Sequence, residues 1–384
     1  MPTANLPPFL PQQVYILRAA WPTNPLPNQI PHRGTIRVIH YLFALLFAAG
    51  SLLLARPSDA QDLPPPSPDW EYHLGQGLRL GDSGLTLGGF GSLRFEDLRD
   101  RSPRLSLGSL SLLLSWDTGT RVRFFSELEL QNFTVARGGR SFDIYNNAVE
   151  LERLYADVYL SEMLTVRLGK FLTPVGRWNL VHADPLVWTT SRPLVTSLPF
   201  STDTTGGMLY GSLLPAGKDL DYAVYLQVGD GLDPHYLEGP FTQAAGFHLA
   251  THLGATEVGL SYVHFKRQGE QSGKDNLFGM DLFWTRRRLE LTGEFVYSIG
   301  TRGPDGDEWG LFAQGTVPLS ERLFAVGRYE FFAAGGPFPG AHRWVAALAF
   351  RPLPPLVLKA EYSFTRDNAA RIPEGFAASV ALLF

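Results

Sequence analysis

The chain is predicted to be an all-β protein, a transmembrane up-and-down antiparallel β-barrel of sixteen strands filling residues 84 to 384. Three observations predict it: strict two-residue alternation in the last ten residues, many alternating segments of about ten residues, and connections that are short and long by turns. Gly375-Phe-Ala-Ala-Ser-Val-Ala-Leu-Leu-Phe384 puts Phe376, Ala378, Val380, Leu382 and Phe384 on one face. Gly375, Ala377, Ser379 and Ala381 occupy the other, as a strand between hydrocarbon and a crowded or wet interior requires. The terminal Phe384 on the apolar row resembles the assembly signal of bacterial outer-membrane barrels.

Composition does not reveal a membrane protein, with 45% apolar residues and a mean hydropathy near zero. In a barrel wall each lipid-facing residue is followed by a polar or small one, so the average stays neutral while the pattern is two-sided. The single continuously apolar stretch is Tyr41 to Ala55, after Arg33, Arg37 and His40 and before Ser58-Asp-Ala60. A basic start, an apolar middle and small residues at the cut describe a secretory signal peptide over 33–60, cleaved after Ala60. The stretch is short for a membrane-crossing helix, which needs about 20 apolar residues. Residues 1–32 read as an unstructured extension or a start-site artefact, and 61–83 as a periplasmic N-terminal tail. That tail is too short for a plug, which argues against a plugged active transporter with its barrel of about 22 strands. The net charge of −4 disfavours nucleic acid as a partner, which wants a clustered basic surface. With no Cys, disulfides and thiolate metal sites are excluded.

Alternation places the first eight strands near 84–96, 104–116, 120–131, 149–160, 164–171, 206–214, 220–229 and 244–253. The second eight lie near 257–266, 276–285, 289–299, 308–317, 322–332, 342–350, 356–365 and 375–384. Such lengths cross a bilayer when tilted, whereas strands of soluble proteins average about five or six residues. In Arg121 to Leu130, Arg121, Arg123, Phe125, Glu127 and Glu129 share one face while Val122, Phe124, Ser126, Leu128 and Leu130 share the other. Outward aromatics gather at strand ends, Tyr297, Trp309, Tyr329, Phe331, Trp344, Phe364 and Phe376 at the external rim and Trp284, Phe350 and Phe384 at the other, as in the paired girdles of a barrel. Outward Gly293, Ala313, Gly315, Ala325 and Gly327 form a small-residue patch that hints weakly at a contact surface.

The third external connection, about 172–205, is by far the longest and mixes polar with bulky apolar groups. Such a segment is unfavourable in water, so it is expected to fold into the barrel and narrow it, with Arg167, Arg177, Arg192, Asp184 and Asp203 at the constriction. Parity puts Arg94, Arg121 and Arg123 on early lumen-facing positions and Arg322, Arg328 and Arg343 on strands thirteen and fourteen. Asp281, Glu290 and Glu294 face the lumen from strands ten and eleven, and Lys359 and Glu361 from strand fifteen. Opposed basic and acidic walls set up a transverse field that orients dipolar solutes.

Val166-Arg-Leu-Gly-Lys-Phe-Leu-Thr-Pro-Val-Gly176 resembles the strand-to-loop segment of porins related to the phosphate-selective porin O and P family, and Glu152-Arg-Leu-Tyr-Ala-Asp-Val-Tyr-Leu160 resembles the strand before it. The resemblance implies a sixteen-stranded, trimeric outer-membrane porin of a Gram-negative bacterium with an inward third loop. Phosphate-selective members are expected to be rich in lysine, yet only Lys170, Lys218, Lys266, Lys274 and Lys359 occur here. The expected role is passive diffusion of small hydrophilic solutes or ions, with membrane lipid, lipopolysaccharide and the barrel-assembly machinery as partners and no cofactor or metal. A hydrophobic-solute transporter would want an apolar luminal pocket, while the lumen positions read as charged, small or polar. A barrel enzyme of lipase or protease type would hold Ser or acids beside His within about 3 Å. His182, His235, His248, His252, His264 and His342 carry no local catalytic motif, and His248 and His252 would stand about 13 Å apart along one strand.

Overall fold

A computed structural model describes residues 70–137, 140–143, 148–181, 183–196, 199–214, 219–228, 241–267, 274–300, 307–333, 340–368 and 372–384. The expected signal peptide, residues 1–32, His182, His235 and Lys218 lie outside the described residues.

Sixteen antiparallel strands close into one barrel. The first eight are β1 (Leu85–Leu98), β2 (Arg104–Asp117), β3 (Val122–Arg137), β4 (Ala148–Ser161), β5 (Leu164–Leu172), β6 (Asp203–Leu213), β7 (Leu220–Gln227) and β8 (Phe241–Leu253). The second eight are β9 (Thr256–Arg267), β10 (Asp275–Arg286), β11 (Leu289–Ile299), β12 (Glu308–Pro318), β13 (Leu323–Ala333), β14 (Ala341–Leu353), β15 (Leu356–Arg366) and β16 (Gly375–Leu383). Each pairs with its chain neighbour, and β16 pairs back onto β1 from Gly375↔Leu98 to Leu383↔Phe90. Closure leaves no free edge along these strands. Asp203, expected on the long loop, is instead the first residue of β6, held in register opposite Leu172. Arg322 sits in the turn before β13 rather than on the strand, because Pro318 ends the preceding ladder and Ser320 Oγ accepts the Arg322 and Leu323 N–H groups.

At one rim the turns are tight, with two-residue turns at Glu162 and Met163, Gly254 and Ala255, Arg287 and Arg288, and Pro354 and Pro355. Arg287 and Arg288 take φ of 49° and 75°, the left-handed pair that a type I′ hairpin needs to match strand twist. Neither is glycine, and Arg288 is compensated by donating to Ser320 O and Glu321 O of the next turn and lying 5.0 Å over the Phe324 ring. The longest connection, 173–202, rises at the opposite rim.

The two faces of the wall differ as the alternation requires. Leu112, Leu114, Phe124, Leu128, Leu260, Phe278 and Met280 are exposed on the outer face. Rings of β12 to β15 form a continuous outer band, Trp309 4.4 Å from Phe331, Tyr329 5.5 Å from Trp344, and Trp344 stacked 5.0 Å on Phe364. Gly315 pairs with Gly327 on this face, and a Cβ at either would meet nothing within 4 Å. Positions of opposite parity are mostly buried and are called the buried face below.

Within the expected tail, Trp70–His73 and Gly77–Leu80 form an antiparallel hairpin, and the second strand pairs with β1 at Leu78↔Leu87. Phe384 exchanges backbone hydrogen bonds with Gly89 (2.9 and 2.8 Å). Its ring lies where a Cβ at position 89 would stand. At the other end of this seam Glu374 accepts from Arg99 Nη1 (2.7 Å) and from Thr365 N (2.9 Å). Those donors, the guanidinium first, hold its carboxyl below the ordinary glutamate range. The folded value is depressed, so the clasp contributes stability above the unfolded glutamate pKa and loses it as pH falls through the folded one. An NMR titration of the Glu374 carboxyl is expected to give a midpoint below that of free glutamate, and Arg99→Ala to move it back up. An unmoved midpoint would refute the clasp.

Candidate functional site

Segment 173–202 leaves β5 through Gly169, whose φ of 133° brings it so close to the β4 backbone that a Cβ would collide with Leu154 O. Four prolines, Pro174, Pro185, Pro193 and Pro199, keep the segment from joining the sheet. Its regular structure among the described residues is two short 3₁₀ turns, Trp178–Val181 and Leu194–Thr196. Its ends are drawn together. Thr173 N donates to Thr202 O (2.9 Å), Thr173 and Thr204 hydroxyls meet at 2.9 Å, and Asn179 Nδ2 donates to both Thr173 O and Thr202 O. Arg192 is an internal strut, donating to Asn179 Oδ1 and Thr196 O at 2.6 Å each and lying 4.8 Å over the Trp178 ring.

A chain that forms no ladder must satisfy its buried N–H groups elsewhere. Here side chains of the buried face do so. Glu294 of β11 accepts from Arg177 N (2.9 Å) and Trp178 N (2.6 Å), and Glu361 of β15 from Thr190 N (2.7 Å) and Ser191 N (3.0 Å). Glu330 of β13 accepts from Leu194 N (2.7 Å), and Glu290 of β11 from Trp188 Nε1 (2.6 Å). Lys359 donates to Asp184 O (2.8 Å) and Thr189 O (3.1 Å), while Arg328 reaches Ser191 Oγ (2.7 Å) and Glu330 (2.8 Å). The Asp184 carboxylate meets Ser92 Oγ and, at 3.5 Å, Arg94 of β1. Arg177 forks onto Glu257 of β9 at 2.7 and 2.9 Å. Hydrogen bonds to ionised acceptors are roughly twice as strong as neutral ones.

Apolar packing adds to these anchors, and it corrects the expectation that the lumen positions are charged, small or polar. Phe171, Val175, Val195 and Phe200 pack with Val263, Phe265, Leu277, Val296, Phe312 and Phe332. Trp188 packs with Phe324, Val326 and Val357, and Val181, Ala183 and Leu186 with Phe90 and Leu383. The reason is that several strands are apolar on both faces where the segment lies against them, one toward the outside and one toward the segment. That double-sided pattern, visible in Val263 and Phe265 of β9 or Phe332 of β13, was the missed signal.

Of the remaining expected charges, Arg167 is paired bidentately with Asp157 (2.7 and 2.8 Å) and lies 3.7 Å over the Tyr155 ring. Arg153, not singled out from the sequence, pairs with Glu127 at 2.5 Å, and Glu129 is buried. Arg123 pairs with Asp117 (2.8 Å) near the tight-turn rim, where Arg121 and Arg322 are exposed. Arg343 lies 3.7 Å from Glu330. Asp203 lies 3.5 Å from Lys170, in a cluster with Glu150 and Glu152 whose ligand oxygens fall within 4.8 Å of one another. Arg351, also missed, is buried 4.7 Å over the Trp188 ring. On β8 to β10, His248 Nδ1 is 2.9 Å from Ser261 Oγ and 3.8 Å from Asp281 Oδ2. Ser and Asp thus face the same ring nitrogen, whereas a proton relay needs them on opposite nitrogens.

No family model matches the chain. An uncharacterized protein of Aquifex aeolicus is 30% identical over 132 residues, 33% of this chain and 29% of that protein, so the match spans under a third of the curated relative. Among solved structures, an anion-selective porin from Comamonas acidovorans superposes with a TM-score of 0.56 at 14% identity, over 78% of this chain and 99% of that one. OmpF of Salmonella typhi in complex with daunomycin gives 0.55 at 14% identity, over 82% and 99%. In-vitro folded OmpT of Vibrio cholerae in its trimer form gives 0.52 at 10% identity, over 78% and 99%. At such identities the likeness establishes the barrel fold.

Proposed function

We propose that this chain is a narrow outer-membrane channel of porin type, admitting small hydrophilic solutes or ions by passive diffusion through a charged constriction. One observation carries the reading. A single segment meets the same face of β1, β9, β11, β13, β15 and β16, strands that span just over half of the barrel's circumference. Inside a closed barrel that is possible; outside it is not. The buried face is then the lumen, 173–202 narrows it, and the exposed apolar face with its aromatic band meets lipid. Lipopolysaccharide, the barrel-assembly machinery and two further copies of the chain are the partners that go with this reading. An OmpT of similar fold has a trimer form, which supports the homotrimer. The enzyme reading lacks a relay geometry at His248, and the apolar patch that a hydrophobic-solute transporter would use is filled by the segment's own side chains.

The charges of the buried face divide by accessibility. Arg328 and Glu330 have wholly buried side chains, while those of Arg94 and Arg123 keep 28% and 43% exposure and that of Arg167 keeps 19%. Solutes would meet the second group, whereas the first positions the segment. Planar-bilayer recordings of the refolded protein under a salt gradient are expected to show discrete steps, and Arg167→Glu to shift the reversal potential toward cations. A correctly folded but silent barrel would sink the channel reading, and an unchanged reversal potential would remove Arg167 from the solute path.

A further inference from the structure

Asp281 of β10 is a buried carboxylate, its side chain 1% exposed, with no hydrogen-bond donor on either oxygen. It leans over Gly259 of β9, its direct partner, where a Cβ would run into the carboxylate. The neighbouring donors are engaged elsewhere, Arg177 on Glu257 and the Arg177 and Trp178 N–H groups on Glu294. A buried carboxylate without a donor is expensive as a charge, and either a proton or a bound cation relieves it.

The nearest candidate ligands are already arranged around it. His248 and Ser261 are direct cross-strand partners on the same face. Gly176 N donates to Ser261 Oγ (3.2 Å), and in the tautomer protonated on Nε2 the His248 Nδ1 lone pair, which accepts the serine hydroxyl hydrogen in the empty site, turns to an ion when one binds. Its 3.8 Å separation from Asp281 Oδ2 is within the span of one ion bonded at about 2.0–2.2 Å to each. An approach also exists at the tight-turn rim, where the more than half-exposed His252 lies 3.6 Å from Glu257. His252, Glu257, Asp281 and His248 therefore line one buried-face track from the rim inward.

We propose that His248, Asp281 and Ser261 bind a divalent first-row transition-metal ion. Imidazole with carboxylate and hydroxyl oxygen selects zinc, cobalt or a similar borderline ion over calcium, which takes oxygen ligands throughout. The ion neutralises Asp281. Through Ser261 it is one hydrogen bond from Gly176, at the root of segment 173–202, so metal binding fixes that root.

Titrating the refolded, detergent-solubilised full chain with Co²⁺ and following visible absorption tests the site directly. A single ion per chain is expected, displaced by Zn²⁺, with heat resistance of the barrel rising as metal is added. Asp281→Asn and His248→Gln should each weaken binding roughly tenfold or more, a loss of the size that altering a metal site's support already produces. Glu152→Gln, in the Glu150, Glu152 and Asp203 cluster, should not weaken it. Asp281→Asn removes an unpartnered charge, so without metal it should withstand heat at least as well as the parent, which keeps the test clear of misfolding. Absence of cobalt bands at millimolar metal, undiminished binding in both variants, or loss in Glu152→Gln instead would each overturn the proposal. Conductance is measured separately, so the channel reading and the metal site fail independently.

Discussion

Glu294→Ala combined with Glu361→Ala is expected to release segment 173–202 and to raise single-channel conductance well above the parent. Each glutamate accepts two backbone N–H groups of the segment, at Arg177 and Trp178 and at Thr190 and Ser191. Alanine leaves those donors buried without a partner, at about 1–3 kcal/mol for each unsatisfied group. With two pairs orphaned, the packed conformation loses several kcal/mol while the released one lets water satisfy the same groups. Glutamine at 294, where one oxygen accepts both N–H groups, should keep those bonds, whereas at 361, where each oxygen accepts one, it loses one of the two, so Glu294→Gln with Glu361→Gln should restore part of the parent conductance. Trypsin offers a second reading, because the Arg177–Trp178 bond should be cut in the alanine variant and protected in the parent. Unchanged conductance and protection would mean that apolar packing alone holds the segment.

The largest effect on stability is expected from Arg328→Ala. Arg328 and Glu330 are two apart on β13, both side chains wholly buried, joined at 2.8 Å. Breaking a buried pair by removing one partner costs roughly 3–5 kcal/mol, because the other charge is left uncompensated. Arg343, 3.7 Å from Glu330, covers part of that charge and puts the expected loss at the lower end. Arg328→Met with Glu330→Met should recover much of it, since an apolar pair of similar volume leaves no stranded charge. The temperature at which the barrel loses compact mobility on a denaturing gel compares the three proteins. A double variant as weak as the single one would mean that the pair's bonds to Ser191 Oγ and Leu194 N, and not its charge balance, are what the fold needs.

The barrel was legible because strand parity is a local, repeated signal: each of the sixteen expected strands overlaps one in the structure, and the C-terminal alternation marks the strand that closes onto β1. Which charges face each other was not legible, because that depends on shear and on the path of 173–202. Arg328, Lys359 and Glu361 share the buried face, yet Lys359 and Glu361 find their partners in backbone groups of the segment and Arg328 in the Ser191 hydroxyl, which no periodicity encodes. Asp203 was misassigned for a related reason. A polar residue beside Thr204 and Thr205 resembles loop composition, and only pairing with Leu172 makes it strand. Arg322 was overextended into a strand because it continues the parity of Phe324 and Val326 from the far side of a turn.

The hairpin at Trp70–His73 and Gly77–Leu80 bears on a quantity that alternation cannot set. A one-residue slip between β16 and β1 would turn every side chain of β16 inside out and is excluded by burial, but a two-residue slip keeps all faces correct. Slipping at the closing seam changes the shear of the cylinder, and shear with strand number fixes tilt and radius. Leu78 and Arg79 already occupy Leu87 and Thr86 on the edge of β1, directly beyond the stretch from Phe90 to Leu98 that β16 uses. Phe384 comes to rest between them, bonded to Gly89. The hairpin is thus an end stop against sliding toward the tight-turn rim, and eleven residues at the start of the described chain gauge the bore of the whole cylinder.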